Sequence, residues 1–128
     1  MDDYKDCSSE QEFKMEWIRH HRKEYARVWC IETEETAGGF PDVLCIRKDG
    51  RAELYEFKKA KAGDAIEFEP TQPAFFMANA SVVPIKVVAM RTDGSCLEFE
   101  ALRMMRSGLM KGRRLSLERM ALYLEAEA

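Results

Sequence analysis

Two apolar runs around a short glycine turn constrain this chain more than any other feature. They are Asp42-Val-Leu-Cys-Ile-Arg47 and Ala52-Glu-Leu-Tyr-Glu-Phe-Lys58, joined through Lys48-Asp49-Gly50. Runs of this length, rich in strand-forming residues and separated by Asp-Gly, form a β-hairpin. The loop length then decides which residues face one another. A two-residue loop leaves Asp42 and Glu56 on opposite faces. A three-residue loop with Gly50 in the left-handed conformation puts Asp42 directly across from Glu56, and Lys-Asp-Gly suits that form because glycine takes positive φ without strain. Lys58, two residues further on, shares the Glu56 face. The expected product is a cluster of Asp42, Glu56 and Lys58 at one end of a paired ribbon.

The elements around the hairpin follow from periodicity and punctuation. Ser9 and Glu12 form a capping box, and Phe13, Trp17, Ile18 and Tyr25 recur at helical spacing, which predicts a helix over about 9–26. Val28-Trp-Cys-Ile-Glu-Thr33 reads as a strand, and Thr36-Ala-Gly-Gly-Phe-Pro41 breaks it. After a loop over 59–69, a helix starts near Thr71 or Gln72 with Pro73 in its first turn and carries Phe75 and Phe76 as core. Ile85–Met90 is a strand, Thr92–Ser95 a turn, and 96–99 a short strand. The tail over 100–126 reads as helix interrupted near Ser107-Gly108 and Gly112. The order is α-β-β-β-α-β-β-α, an α/β fold with helices flanking a mixed sheet. The 128 residues hold one domain's worth of core, with 9–99 as the core and 100–128 as a C-terminal helical extension.

Two carboxylates roughly 5 Å apart on neighbouring strands repel unless something positive stands between them. A hard divalent cation fits that position. Magnesium takes few protein carboxylates and completes its shell with water and phosphate oxygens. The neighbouring Lys58 ammonium can position a water or neutralise charge building on a phosphate. This is equipment for phosphodiester hydrolysis.

Pro41-Asp42, followed on the next strand by Glu56-Phe57-Lys58, resembles the PD-(D/E)XK nucleases. The longer string Thr36-Ala-Gly-Gly-Phe-Pro-Asp-Val-Leu44 resembles two branches of that superfamily, the archaeal-type Holliday junction resolvases and the VRR-NUC domains. The resemblance covers about residues 9–90 and implies a restriction-endonuclease-like core, α-β-β-β-α-β. It places Glu10, in Ser9-Glu-Gln-Glu-Phe13, at the first-helix catalytic position, and Gln72 at the glutamine that follows the lysine in VRR-NUC domains. The catalytic set it implies is Glu10, Asp42, Glu56, Lys58 and Gln72, with Glu10, Asp42, Glu56 and Phe57 at one or two magnesium ions, for which manganese substitutes. Hydrolysis would leave a 5′-phosphate. Branched DNA is the implied substrate and a two-fold dimer the implied assembly, since a resolvase makes paired cuts. The alternatives are a monomeric flap or nicking nuclease, and an inactive DNA-binding module of the same fold.

Each of these residues also has a plainer reading. Glu10 is an acidic first-turn residue able to pair with Lys14, and Glu12 has the capping box as its work. Gln72 equally well just precedes a proline-initiated helix. Lys59 and Lys61 read as solvated. His20 and His21 point about 100° apart on a helix and so make a surface rather than a chelate. Cys7, Cys30, Cys45 and Cys96 include no Cys-x-x-Cys pair, which removes thiolate metal sites and redox dithiols; Cys30, Cys45 and Cys96 stand among apolar residues as small hydrophobes.

The net charge of −3 conceals two basic segments. Residues 19–27 carry Arg19, Arg22, Lys23 and Arg27 against Glu24, and 101–119 carry six cations, among them Lys111, Arg113 and Arg114, against Glu118. Arg19, Arg22, Lys23, Lys111, Arg113 and Arg114 are therefore the candidates for phosphate contacts. Met104, Met105, Met110 and Met120 are candidates for the dimer contact. No apolar run approaches the ~18 residues that span a bilayer, the acidic N-terminus is unlike a signal peptide, and free cysteines fit a cytoplasmic setting, the host's if the gene is carried by a phage.

Overall fold

The computed structural model describes residues 3–31 and 39–128. In chain order the elements are α1 (Glu10–His21), a 3-10 turn (Arg22–Glu24), β1 (Tyr25–Cys30), β2 (Val43–Arg47), β3 (Ala52–Lys59), β4 (Ala65–Glu67), α2 (Thr71–Asn79), β5 (Ile85–Met90), β6 (Cys96–Glu100), α3 (Ala101–Ser107), β7 (Arg114–Ser116) and α4 (Leu117–Ala126). Among the described residues, β1, β2, β3, β5 and β6 lie side by side in that order. Every pairing is antiparallel except β3 with β5, so the sheet is mixed and β3 is its middle strand.

The hairpin has the three-residue loop. Val43 pairs with Tyr55, Leu44 with Leu54 and Cys45 with Glu53, the register that sets Asp42 opposite Glu56. Gly50 has φ +94°, and the loop is closed by Arg47 N–H on the Arg51 carbonyl at 2.8 Å and Gly50 N–H on the Arg47 carbonyl at 2.9 Å. Alternation along β3 then feeds two separate cores. Tyr55 and Phe57 pack under α1 with Phe13 and Trp17, whereas Leu54 faces Ile66, Phe68 and Phe76 beneath α2.

α1 is shorter than the periodicity predicts, ending at His21 rather than near 26, and β1 begins earlier, at Tyr25 rather than 28. Tyr25 fits the helical spacing because its ring does reach Trp17, 6.4 Å between centroids. It does so from the sheet, where its hydroxyl meets that of Tyr55 at 2.6 Å. Ser9 caps α1 as expected, accepting from Glu12 N–H, but the Glu12 carboxylate bonds Ser8 rather than closing the box on Ser9. Glu32, Thr33 and Thr36-Ala37-Gly38 of the glycine string lie outside the described residues.

The tail departs further from expectation. It is α3, then β7, then α4, and β7 pairs with the short β4 in a separate two-stranded ribbon. Gly108, at φ +72°, ends α3 in the left-handed cap that glycine favours. Leu115, Leu117 and Met120 beyond it are fully buried, each worth about 2 kcal/mol of burial. Met104, like Met120, is fully buried and so faces this chain's own interior, while Met105 and Met110 are half-buried against the same core. Of the cysteines expected to be buried, Cys45 is, but Cys30 is exposed on edge strand β1 and Cys96 is half-buried, while Cys7 is buried. Phe76 is core and Phe75 packs beside it. Among the described residues no helix is long and apolar enough to cross a membrane.

Candidate active site

The site lies where β3 outruns β2 while still paired with β5. The β2–β3 ladder ends at Val43 and Tyr55, which would leave the next inward N–H of β3 unpaired. Asp42 takes it: its carboxylate accepts from Phe57 N–H at 3.2 Å. Glu56 and Lys58 project from β3 into the α2 side and are nearly sealed, at 2% and 6% exposure. Their charged ends stand 3.7 Å apart. The Lys58 ammonium also lies 5.2 Å from the centre of the Phe68 ring, a favourable seat for a desolvated cation.

Gln72 joins them from the first turn of α2 and is 7% exposed. Its side-chain carbonyl accepts Glu69 N–H at 2.8 Å, which leaves the amide N–H groups to face the Glu56 carboxyl and help hold it ionised. Glu10 arrives from the other side of the sheet. The residue is exposed as a whole, yet its carboxyl is turned to the end of β3, toward Lys58 and the Lys59 main chain. Burial raises its pKa, and Asp42 adds to the rise; the Lys58 ammonium, the Lys59 N–H and Lys61 oppose it.

Glu56 is the most strained of these groups electrostatically. Burial, then repulsion from Asp42, pushes its pKa up to about 8, against the opposing pull of Lys58 and Gln72. Its Oε1 is buried with no hydrogen-bond partner, and an orphaned carboxylate oxygen of this kind costs stability unless something binds there. Among the described residues no three His, Cys, Asp or Glu side chains converge closely enough to hold an ion as they stand. Three carboxylates repel one another, and here Lys58 screens Glu56. The residues nevertheless fit a hard divalent cation: an unpartnered Glu56 oxygen, the Asp42 carboxylate, Glu10 at the margin, and from Phe57 only the main-chain carbonyl, since its side chain is buried core.

A search of the solved structures finds Hjc, a Holliday junction resolvase from the archaeal hyperthermophile Archaeoglobus fulgidus. The TM-score is 0.62 over 84% of this chain and 88% of that one, at 11% sequence identity. The two share a fold. No family model matches the chain, and no curated protein matches it in sequence.

The hairpin, α1 and α2 therefore bring Glu10, Asp42, Glu56, Lys58 and Gln72 to one place. The basic candidates divide. Arg19, Arg22 and Lys23 follow α1 away from Glu10, Arg19 by about 14 Å of helix rise, to the end of the sheet where Tyr25 pairs with Arg47. Lys111, Arg113 and Arg114 lie instead at the near end, since Phe68 N–H, beside Lys58, donates to the Arg113 carbonyl at 2.8 Å. His20 and His21 contact Tyr4 and Glu24, as a helix surface does. Sequence reasoning missed Lys14, which with Glu10, Gln11, Asp42 and Phe57 lines a cleft of about 210 Å³ at the mouth of the site. Its spacing from Glu10 was visible, but an i,i+4 pair reads as an ion pair before it reads as the wall of a cleft. Lys59 was read as solvated and is half-buried.

Proposed function

We propose that this protein is a metal-dependent DNA endonuclease of the PD-(D/E)XK kind, acting on branched DNA such as a four-way junction. The observation that carries the reading is Glu56: a sealed carboxylate with an orphaned oxygen, beside the Lys58 ammonium and opposite Asp42. A structural role alone leaves such a group uncompensated; hydrolysis of a phosphodiester uses it. Likeness to the fold of a Holliday junction resolvase, and the resemblance of the sequence to such enzymes and to VRR-NUC domains, favour branched DNA.

Asp42, Glu56 and Glu10, with the Phe57 carbonyl, would hold magnesium or manganese, which supplies charge neutralisation at the phosphate and a more acidic bound water. Lys58 orients the attacking water and faces the negative charge that builds on the phosphate oxygens. Gln72 fixes the Glu56 carboxyl by spanning it and the Glu69 N–H. Water oxygen adds to phosphorus and gives up its proton to solvent. The bond from phosphorus to O3′ breaks, O3′ takes up a proton, and the product end carries a 5′-phosphate. The whole chain, 1–128, acts as one nuclease domain in the cytoplasm, and symmetric cutting would pair two copies.

The 3.7 Å Lys58–Glu56 contact favours one second reading, a silent DNA-binding module in which lysine has taken over the metal's electrostatic work. A cleavage panel separates the two. Junction, flap, single-stranded and duplex DNA are incubated with magnesium or manganese and the products sized. Symmetric incision of the junction, lost by at least about 100-fold in Lys58→Ala while DNA binding persists, is the expected result. Incision of one flap arm only would make the enzyme a flap nuclease, and no incision of any DNA leaves the binding module.

A further inference from the structure

The catalytic end of β3 is continuous with the β4–β7 ribbon, whose tight turns place cations from distant parts of the sequence side by side. On one side, Lys61 bridges to Ala65 across Gly63, at φ +79°. On the other, Lys111 and Arg114 exchange main-chain bonds of 2.9 and 3.0 Å across Gly112, at φ +61°. Glu67 pairs with Arg114 in the ladder between them. Arg114 reaches back to the Ala62 carbonyl, and Arg113 to the Phe68 carbonyl, each at 3.2 Å. Lys61, Lys111, Arg113 and Arg114 are all exposed. Glu67 stands among them, 4.0 Å from Lys61 and 3.8 Å from Arg113, and cannot balance four cations.

The ribbon is held firmly against the site. Asp64 adopts φ +51°, unusual for a residue with a side chain, and is fixed there from several directions. Its carboxylate accepts from Arg91 Nε and Nη2 at 2.9 and 2.7 Å and from Thr92 N–H at 3.0 Å, and its carbonyl accepts Leu117 N–H at 3.0 Å. Asp64 is thereby neutralised by Arg91 and subtracts little from the ribbon's charge. A further link joins ribbon to site: Phe68, just past β4, seats the Lys58 ammonium 5.2 Å from its ring centre.

We propose that this ribbon is a backbone clamp: Lys61, Lys111, Arg113 and Arg114 hold the sugar–phosphate backbone of the DNA arm that leaves the site at Glu56 and Lys58. The inference rests on the reading of the site as a DNA nuclease. Paired residues share a face, so Lys61, Arg114 and Lys111 stand on one face of the ribbon around Glu67, and arginine forks suit phosphate oxygens. Salt dependence of binding counts such contacts directly, because each phosphate neutralised contributes about 0.9 to the slope of log affinity against log salt.

The test is fluorescence anisotropy of a labelled four-way junction with the full chain in EDTA, from about 50 to about 200 mM salt, so that no cutting intervenes. In the double variant Lys61→Gln, Lys111→Gln the slope is expected to fall by about 1.8 and the affinity by at least about tenfold at the middle of the range. Arg113→Gln should lower the slope by about 0.9, and Lys48→Gln in the hairpin loop should not change it. Both lysines are exposed, so the double variant keeps the test valid if Arg113→Gln fails to fold. Unchanged slope and affinity in the double variant, or no DNA binding by the natural chain, would overturn the clamp. Weakened binding in the variants, with no DNA cut under any metal, would leave the clamp standing and remove the nuclease reading instead.

Discussion

Glu56→Gln is expected to make the metal-free protein more stable in mild alkali, the reverse of what loss of a well-used buried residue does. Burial, with Asp42 adding repulsion, moves the Glu56 carboxyl from 4.5 to about 8. A folded-state pKa above the unfolded value means that the folded chain holds this proton more tightly. The stabilisation is therefore complete below pH 4.5 and is lost as pH rises through about 8. A shift of that size corresponds to on the order of 5 kcal/mol, of which roughly 3 kcal/mol disappears between about pH 5 and pH 8. Glutamine has nearly the same shape, carries no charge at any pH and leaves no ionised oxygen at the orphaned Oε1 position. Thermal unfolding of both proteins in EDTA across that interval measures the difference, and comparing the two curves cancels the titration of every other group. The natural chain should lose on the order of 10 °C more than the variant, with the curves meeting near the acid end. Magnesium at the alkaline end should narrow the gap by stabilising the natural chain alone. Parallel curves, or a variant less stable than the natural chain in alkali, would refute the view of Glu56 as an uncompensated carboxylate.

Two comparisons probe the supports of the site. At Gly39, φ is +90° and an added Cβ would collide with the Thr71 carbonyl next to Gln72, whereas Gly50, at φ +94°, has open space around it. Gly39→Ala should cost on the order of 2 kcal/mol or more in urea unfolding and depress cleavage, while Gly50→Ala should cost about 1 kcal/mol and leave cleavage intact. Glu10→Gln should lower cleavage at least about tenfold, because its carboxyl faces the reacting end of β3. Glu12→Gln should lower only the unfolding midpoint, since Glu12 bonds Ser8; equal loss of cleavage in both would move the first-helix role to Glu12.

The hairpin was legible because one glycine at positive φ fixed a register, and the register alone set Asp42 opposite Glu56. Lys58 followed from alternation, and the burial of Glu56 from its place between two aromatic residues. The ends of α1 and β1 were not legible, since Tyr25 touches Trp17 from the sheet while keeping helical spacing from it. β4 and β7 escaped notice because three residues are too few to show alternation, and their pairing joins residues about 50 positions apart. With them went the meaning of the basic tail. Lys111, Arg113 and Arg114 stood out as a charge run, but only the ribbon places them beside Lys61 and Phe68. Arg19, Arg22 and Lys23 looked equivalent in sequence and lie toward the other end of the sheet. Composition counts charges; the fold decides which of them share a surface.

Manganese binding tests the central claim, that Asp42 and Glu56 together form a divalent-cation site at the end of β3. Free manganese is followed by its electron paramagnetic resonance signal as the ion is titrated into the natural chain, Asp42→Asn and Glu56→Gln, each with and without a bound DNA junction. The natural chain should take up the ion, more tightly with DNA present because phosphate oxygens complete the shell, and each variant should lose that uptake. Equal uptake by all three proteins, or none by the natural chain even with DNA bound, would contradict it.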